Sequence, residues 1–289
     1  MSFLDKAASI LAPGTLVIGL LYFFGSTYTD AYYSFFGVPP RDLQFSVQSY
    51  LASSPRAIFF PVLFLFLTGL GLAMVLLLIT HALSGPRNVT RRRVVARWFM
   101  YPSMAVLLLF SSAFSDLAVG TSRLDSAGNS RWVWAPLVVA LGSGLWLYGL
   151  RLSPGDWGNP DKRAPTGRRV WFTAEVLLAG LMAAALFTFA TRYAAYKGKA
   201  DAGIDANNGF KAYPYVLIYS GARIAHSIPG ITVKDQGSGS GPYRFRYKGF
   251  VALAKTPTHF YLVSRDWHAG RAVLVLPDDG TIRAEMKPV

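Results

Sequence analysis

Arg244, Arg246 and Lys248 alternate with Tyr243, Phe245 and Tyr247 near the carboxyl end of the chain. On a β-strand successive side chains point to opposite faces, so this phrase sends three cations to one side and three rings to the other. The rings are then core. The cations form a basic stripe able to bind anionic headgroups, wall polymers or an acidic partner, with a plain solvated face as the alternative. Two further ionisable groups stand in apolar surroundings, Glu175 and His81. A carboxylate inside a membrane span is costly and is therefore a candidate proton relay. Glu175, however, lies only four residues after Trp171, where a helix amino terminus and interfacial water also favour an anion. His81 stands at the exit of an apolar run and is read as an interfacial residue. His226, His259 and His268, with Asp266 nearby, match no compact ligand spacing, so no metal site is expected from them.

Other chemistry is excluded by what is missing. The chain has no cysteine, which removes thiol nucleophiles, thiolate metal sites and disulfides together. No Walker loop, GxGxxG, GxSxG or HExxH motif occurs. No catalytic residue, cofactor or metal ligand is expected.

The elements that must position these side chains are those of a membrane protein. Of 289 residues, 52% are hydrophobic and 15% charged, with a mean hydropathy of +0.32. A soluble domain carries about 25% charge. A bilayer core about 30 Å thick needs roughly 20 apolar residues in a helix. Five stretches meet or approach that length, near residues 7–29, 57–83, 98–115, 132–150 and 170–191. The first is read as an uncleaved helix rather than a signal peptide: Lys6 is offset by Asp5, and the apolar run exceeds an h-region of about 7 to 15 residues. Pairs of small residues four apart, such as Ala140 with Gly144 and Gly180 with Ala184, suit close helix packing.

Positive residues in short loops stay cytoplasmic. Arg87, Arg91, Arg92, Arg93 and Arg97 lie between spans two and three; Arg151, Lys162, Arg163, Arg168 and Arg169 lie between four and five. The other two loops hold Arg41 with Arg56 and Arg123 with Arg131. This alternation places the amino terminus in the cytoplasm and the carboxyl-terminal domain outside. The net charge of +14, suggestive of nucleic acid in a soluble protein, is then a topology signal, and no nucleic-acid partner is expected.

After a transmembrane domain over 1–196, a polar linker is expected over 197–208 and a small β-domain over 209–289. Short period-2 runs at 215–219, 231–234, 243–248, 250–254, 260–264, 272–276 and 281–286 alternate with turn signals such as Pro229-Gly230 and Asp279-Gly280. The spacing suggests a small sandwich or barrel. The fold class is thus an α-helical transmembrane bundle followed by an all-β extracytoplasmic domain. Between the first two spans, Gly37-Val38-Pro39-Pro40-Arg41-Asp42 leads into Leu43, Phe45, Val47, Tyr50 and Leu51, a pattern for a short helix on the outer interface.

That segment, with the phrases Tyr243-Arg244-Phe245-Arg246-Tyr247 and Leu276-Pro277-Asp278-Asp279-Gly280-Thr281-Ile282-Arg283, resembles uncharacterised multi-pass membrane proteins of actinobacteria. The resemblance implies a bacterial cell membrane and no activity. Function is accordingly expected to be non-enzymatic: the helices embed the chain in the lipid bilayer, and the β-domain binds, senses or scaffolds a partner, whether anionic lipid headgroups, wall polymers or another membrane protein. A transporter or channel component is the second expectation, and a membrane-embedded enzyme the third.

Overall fold

The computed structural model describes residues 3–82, 94, 95, 98, 101, 103–105, 131–152, 165–226, 228–237, 242–267 and 272–287. The expected span at 98–115 lies largely outside these residues, as do Arg87, Arg91, Arg92, Arg93, Arg97, Arg123, Lys162, Arg163 and His268. Four long helices are described: α1 (Phe3–Phe35), α2 (Val47–Ala82), α3 (Arg131–Leu152) and α4 (Pro165–Asn207). Two segments among the described residues, Val47–Ile79 and Phe172–Asn207, are long and apolar enough to cross a membrane, and Trp134–Tyr148 is a shorter apolar helix.

The chain divides into two compact units, residues 1–57 with 194–289, and residues 58–193. The second unit is helical. Val139 and Ala140 of α3 bury against Ala185 of α4, with Leu181, Met182 and Leu186 around them. Trp134 meets Phe64 and Phe189 at ring-centroid distances of 5.8 and 5.5 Å, and the Tyr148 hydroxyl donates to the Leu76 carbonyl at 2.9 Å. Much of the remaining helix surface is apolar and open, including Phe59, Phe66, Leu70 and Leu77 on α2 and Phe172 and Leu177 on α4.

In the first unit, α1 ends in a glycine cap, Gly37 taking φ +75° while the Val38 N–H reaches back to the Tyr33 carbonyl and the Gly37 N–H to that of Ser34, and the prolines at 39 and 40 cannot resume the helix. A 3-10 turn at Pro40–Leu43 follows, with Leu43 buried, so the expected interfacial helix is this one turn joined to the start of α2. The end of α1 and the last turns of α4, both in this unit, lie side by side and run in the same direction: Tyr28 reaches Asp201 and, one turn on, Tyr32 reaches Asp205. Gly198 permits the approach, since a Cβ there would collide with the Tyr28 carbonyl oxygen.

Helix α4 continues without a break to Asn207, so residues 197–207, expected as a polar linker, are its last turns. Alanines at 194, 202 and 206 and Gly198 face inward every fourth residue, all buried. Their small faces against α1 make helix the better use of this polar stretch than coil.

The carboxyl-terminal region is one antiparallel sheet of six strands: β1 (Tyr215–Ser220), β2 (Thr232–Asp235), β3 (Phe245–Lys255), β4 (His259–Ser264), β5 (Leu274–Pro277) and β6 (Ile282–Lys287). The order is β5-β4-β3-β1-β6, with β2 also paired to β3. Two of the expected runs, 243–248 and 250–254, are a single long strand. Gly249 bends it at φ +112°, in the left-handed region glycine favours, and a Cβ there would collide with the Gly230 carbonyl oxygen. β2 pairs before this bend and β4 after it.

The sheet is open rather than a sandwich or a closed barrel. Its inner face buries Val216, Ile218, Tyr247, Phe250, Leu262 and Ile282. Part of the opposite face is covered not by a second sheet but by helix ends, where Val251, Leu253, Tyr261, Val263 and Trp267 pack on Tyr32, Phe36, Val38, Leu43, Ala202, Ala206 and Phe210. Trp267 sits 4.9 Å from the Phe36 ring.

Candidate functional site

Strand β3 carries the phrase singled out by its charge, and the alternation resolves as the period demands: Tyr247 is fully buried in the inner core and Phe245 packs against it. Arg246 and Lys248 therefore belong to the outer face, on the half of the sheet not packed on the helix ends. The pairing adds a cation. Lys234 of β2 stands directly opposite Arg246, and Thr232 opposite Lys248. Paired positions lie about 5 Å apart and alternate positions on one strand about 7 Å apart.

Arg244 behaves differently. It precedes β3, and its guanidinium grips Asp235 at the end of β2 with both Nε and Nη2, the shortest contact being 2.7 Å. The pair holds the Asp235 carboxyl down at about 2, helped by the Gly237 backbone N–H. Of the three expected cations, one is thus neutralised locally. On β6, beyond β1, Glu285 is held by Arg283 at 3.0 Å and by the Tyr219 hydroxyl at 3.2 Å. Among the described residues, no acid pairs with Lys234, Arg246 or Lys248. Lys234 was missed in the sequence because only strand pairing brings it there; the alternation within Thr232-Val233-Lys234 was its one local signal.

The remaining expected residues are dispersed. His81 is exposed in the last turn of α2. Glu175 is half-buried on α4, ten residues past the helix start at Pro165, and so lies beyond the first turn where the helix dipole stabilises an anion. His226 is half-buried against the Tyr247 and Phe250 rings, and His259 contacts the Thr258 hydroxyl at 2.8 Å. The described residues contain no cluster of three metal-ligating side chains.

A second polar cluster was not expected at all. The Tyr28 hydroxyl donates to Asp201 at 2.9 Å, and Asp201 also binds Lys197 one turn earlier on α4. The Tyr32 hydroxyl donates to Asp205 at 2.8 Å and lies 2.6 Å from the Tyr213 hydroxyl. Burial pushes the Tyr32 and Tyr213 hydroxyls above the ordinary tyrosine value, so both keep their protons. The sequence does hold a signal, the matching four-residue spacings of Tyr28 with Tyr32 and of Asp201 with Asp205. Nothing local says that the two spacings face each other across 173 residues of chain.

No protein-family model matches the chain, and neither a curated protein nor a solved structure shows significant similarity to it.

Proposed function

We propose that this is a non-enzymatic, multi-pass protein of the cell membrane, with about five spans, a cytoplasmic amino terminus and an extracytoplasmic sheet whose outer basic face binds a polyanion or anionic headgroups. The exposed apolar flanks of α2 and α4 support the membrane, since Phe59 is 71% and Leu177 68% exposed, a surface suited to lipid rather than water. The shared direction of α1 and α4 supports the span count. Two helices pointing the same way through a bilayer need an odd number of crossings between them. With α2 and α3 supplying two, the apolar stretch at 98–115 supplies the third. The alternating Lys and Arg count supports the orientation.

The observation that carries the binding reading is the triplet Lys234, Arg246 and Lys248, clustered by strand pairing and unmatched by acid among the described residues. Their spacing is inside the Debye length of about 8 Å at physiological salt, so their potentials add. Each cation near an anionic surface is worth about 1 kcal/mol, roughly 3 kcal/mol together, which makes a weak and salt-sensitive contact.

The test uses the full chain in zwitterionic nanodiscs, mixed with anionic vesicles in one arm and with soluble polyphosphate in the other. Binding should fall steeply between about 50 and 200 mM salt. Changing Lys234, Arg246 and Lys248 to serine should weaken it by up to about 100-fold, whereas Arg244→Gln should leave it nearly unchanged. Equal binding by the triple variant, with its melting temperature intact, overturns the proposal.

A further inference from the structure

Within the first unit, a cavity of about 170 Å³ opens between the end of α1, the start of α2 and the turn after α4. It is smaller than the roughly 300 Å³ at which drug-sized pockets begin, and so is of headgroup size. Five rings wall it: Tyr28, Tyr32, Tyr33, Phe45 and Tyr213. Aromatic faces attract cations, and clusters of them recognise ammonium groups.

The hydroxyl protons point the same way. Tyr28 gives its proton to Asp201, Tyr32 to Asp205, Thr29 to the Gly25 carbonyl and Ser53 to the Tyr50 carbonyl. With their protons engaged in these bonds, the four oxygens remain available as acceptors. Behind the rings, Asp201 is matched by Lys197. Among the described residues, Asp205 is bound by tyrosine hydroxyls alone and no cation pairs with it. This end of the cavity is built for a cation.

The other end is not. Arg56 lines the cavity, with its guanidinium near the Tyr28 hydroxyl. A purely cationic ligand would meet its guanidinium; a purely anionic one would meet the rings, the lone pairs and the Asp205 charge. A ligand carrying both charges a few bonds apart satisfies both ends. The depth is informative too: Thr29 closes the first apolar stretch and Arg56 directly precedes the second, which is where headgroups lie beside a spanning helix.

We propose that this cavity binds a phosphate–ammonium zwitterion, with the phosphate on Arg56 and the ammonium among the rings in front of Asp205. The chemistry is that of an ethanolamine or choline phospholipid headgroup, or of the same headgroup free in solution. Only the lipid source rests on the membrane reading above; the charge pairing rests on the cavity itself.

The full chain, purified in a non-ionic detergent, is titrated with short-chain phosphatidylethanolamine, phosphatidylcholine and phosphatidylglycerol, and separately with free phosphoethanolamine and phosphocholine. At least one of the two zwitterionic lipids should bind tenfold or more tightly than the phosphatidylglycerol. Arg56→Gln should weaken that binding at least tenfold. Asp205→Asn should weaken it at least fivefold without affecting phosphatidylglycerol. Phe45→Leu, which keeps apolar volume but removes a ring face, should weaken it at least threefold and serves where Asp205→Asn does not fold. A free headgroup binding as tightly as its lipid assigns the soluble source, and one at least tenfold weaker assigns the lipid. Phosphatidylglycerol binding as well as both zwitterionic lipids overturns the proposal, as does an Arg56→Gln variant with an unchanged melting temperature and unchanged affinity.

Discussion

Asp235 decides which cations of the sheet carry a local counter-ion. Its carboxylate takes a forked contact from Arg244 and a backbone N–H from Gly237, and the two together hold its pKa at about 2. A carboxyl depressed in the folded state contributes stability above its unfolded value near 4 and loses it as pH falls through the folded value. The affected window is therefore about pH 4 down to about 2, well below physiological pH. Because both side chains are exposed, the pair sets local geometry more than global stability. Carboxyl NMR of the full chain in detergent should show Asp235 titrating near 2, and Arg244→Gln should return it towards about 4. A native value near 4 would release Arg244 and restore the three-cation stripe of Arg244, Arg246 and Lys248 suggested by alternation alone.

Trp267 performs at the level of packed elements what no single strand can. It follows β4, is 4% exposed, and packs edge-on against Phe36 and at a tilt against Phe35 of the α1 end, tying the sheet to the helices within the first unit. Replacing it with alanine should cost about 3–5 kcal/mol, the usual range for deleting a buried large aromatic. Hydrogen exchange should then speed most at β4 and β3 while the apolar helices stay protected. Uniform protection in Trp267→Ala would mean that the sheet holds without this anchor. The strands themselves were legible because a period of 2 is a local signal; the β3 runs looked like two strands only because Gly249 interrupts the alternation. The last turns of α4 were misread for a related reason. Lys197, Lys199, Asp201 and Asp205 make the stretch polar, and polarity resembles a linker until the buried small residues at 194, 198, 202 and 206 are seen to face α1. The cover on the sheet's outer face, the Lys234 partner of Arg246 and the tyrosine–aspartate cluster all depend on contacts between distant parts of the chain. Composition and period carry no record of such contacts.

Direction constrains the entire chain more tightly than hydropathy does. Hydropathy yields stretches of apolar residues, each of which is a span or a buried helix on its own merits. The common direction of α1 and α4, fixed by Tyr28 on Asp201 and Tyr32 on Asp205, adds a parity condition that links all of them. It requires both helices to deliver their carboxyl ends to the same side, where the sheet that follows α4 packs on the end of α1. In the proposed five-span topology α2 leads back to the opposite side, and His81 near its end and Gln236 after β2 should then lie on opposite faces of the membrane. The absence of cysteine makes this directly measurable, because an introduced thiol is unique in the chain. Gln236→Cys should react with an impermeant maleimide on intact cells, and His81→Cys should react only after permeabilisation. The opposite pattern would invert the orientation. Labelling of both from outside would mean that α2 does not cross, and the five-span arrangement would fall with it.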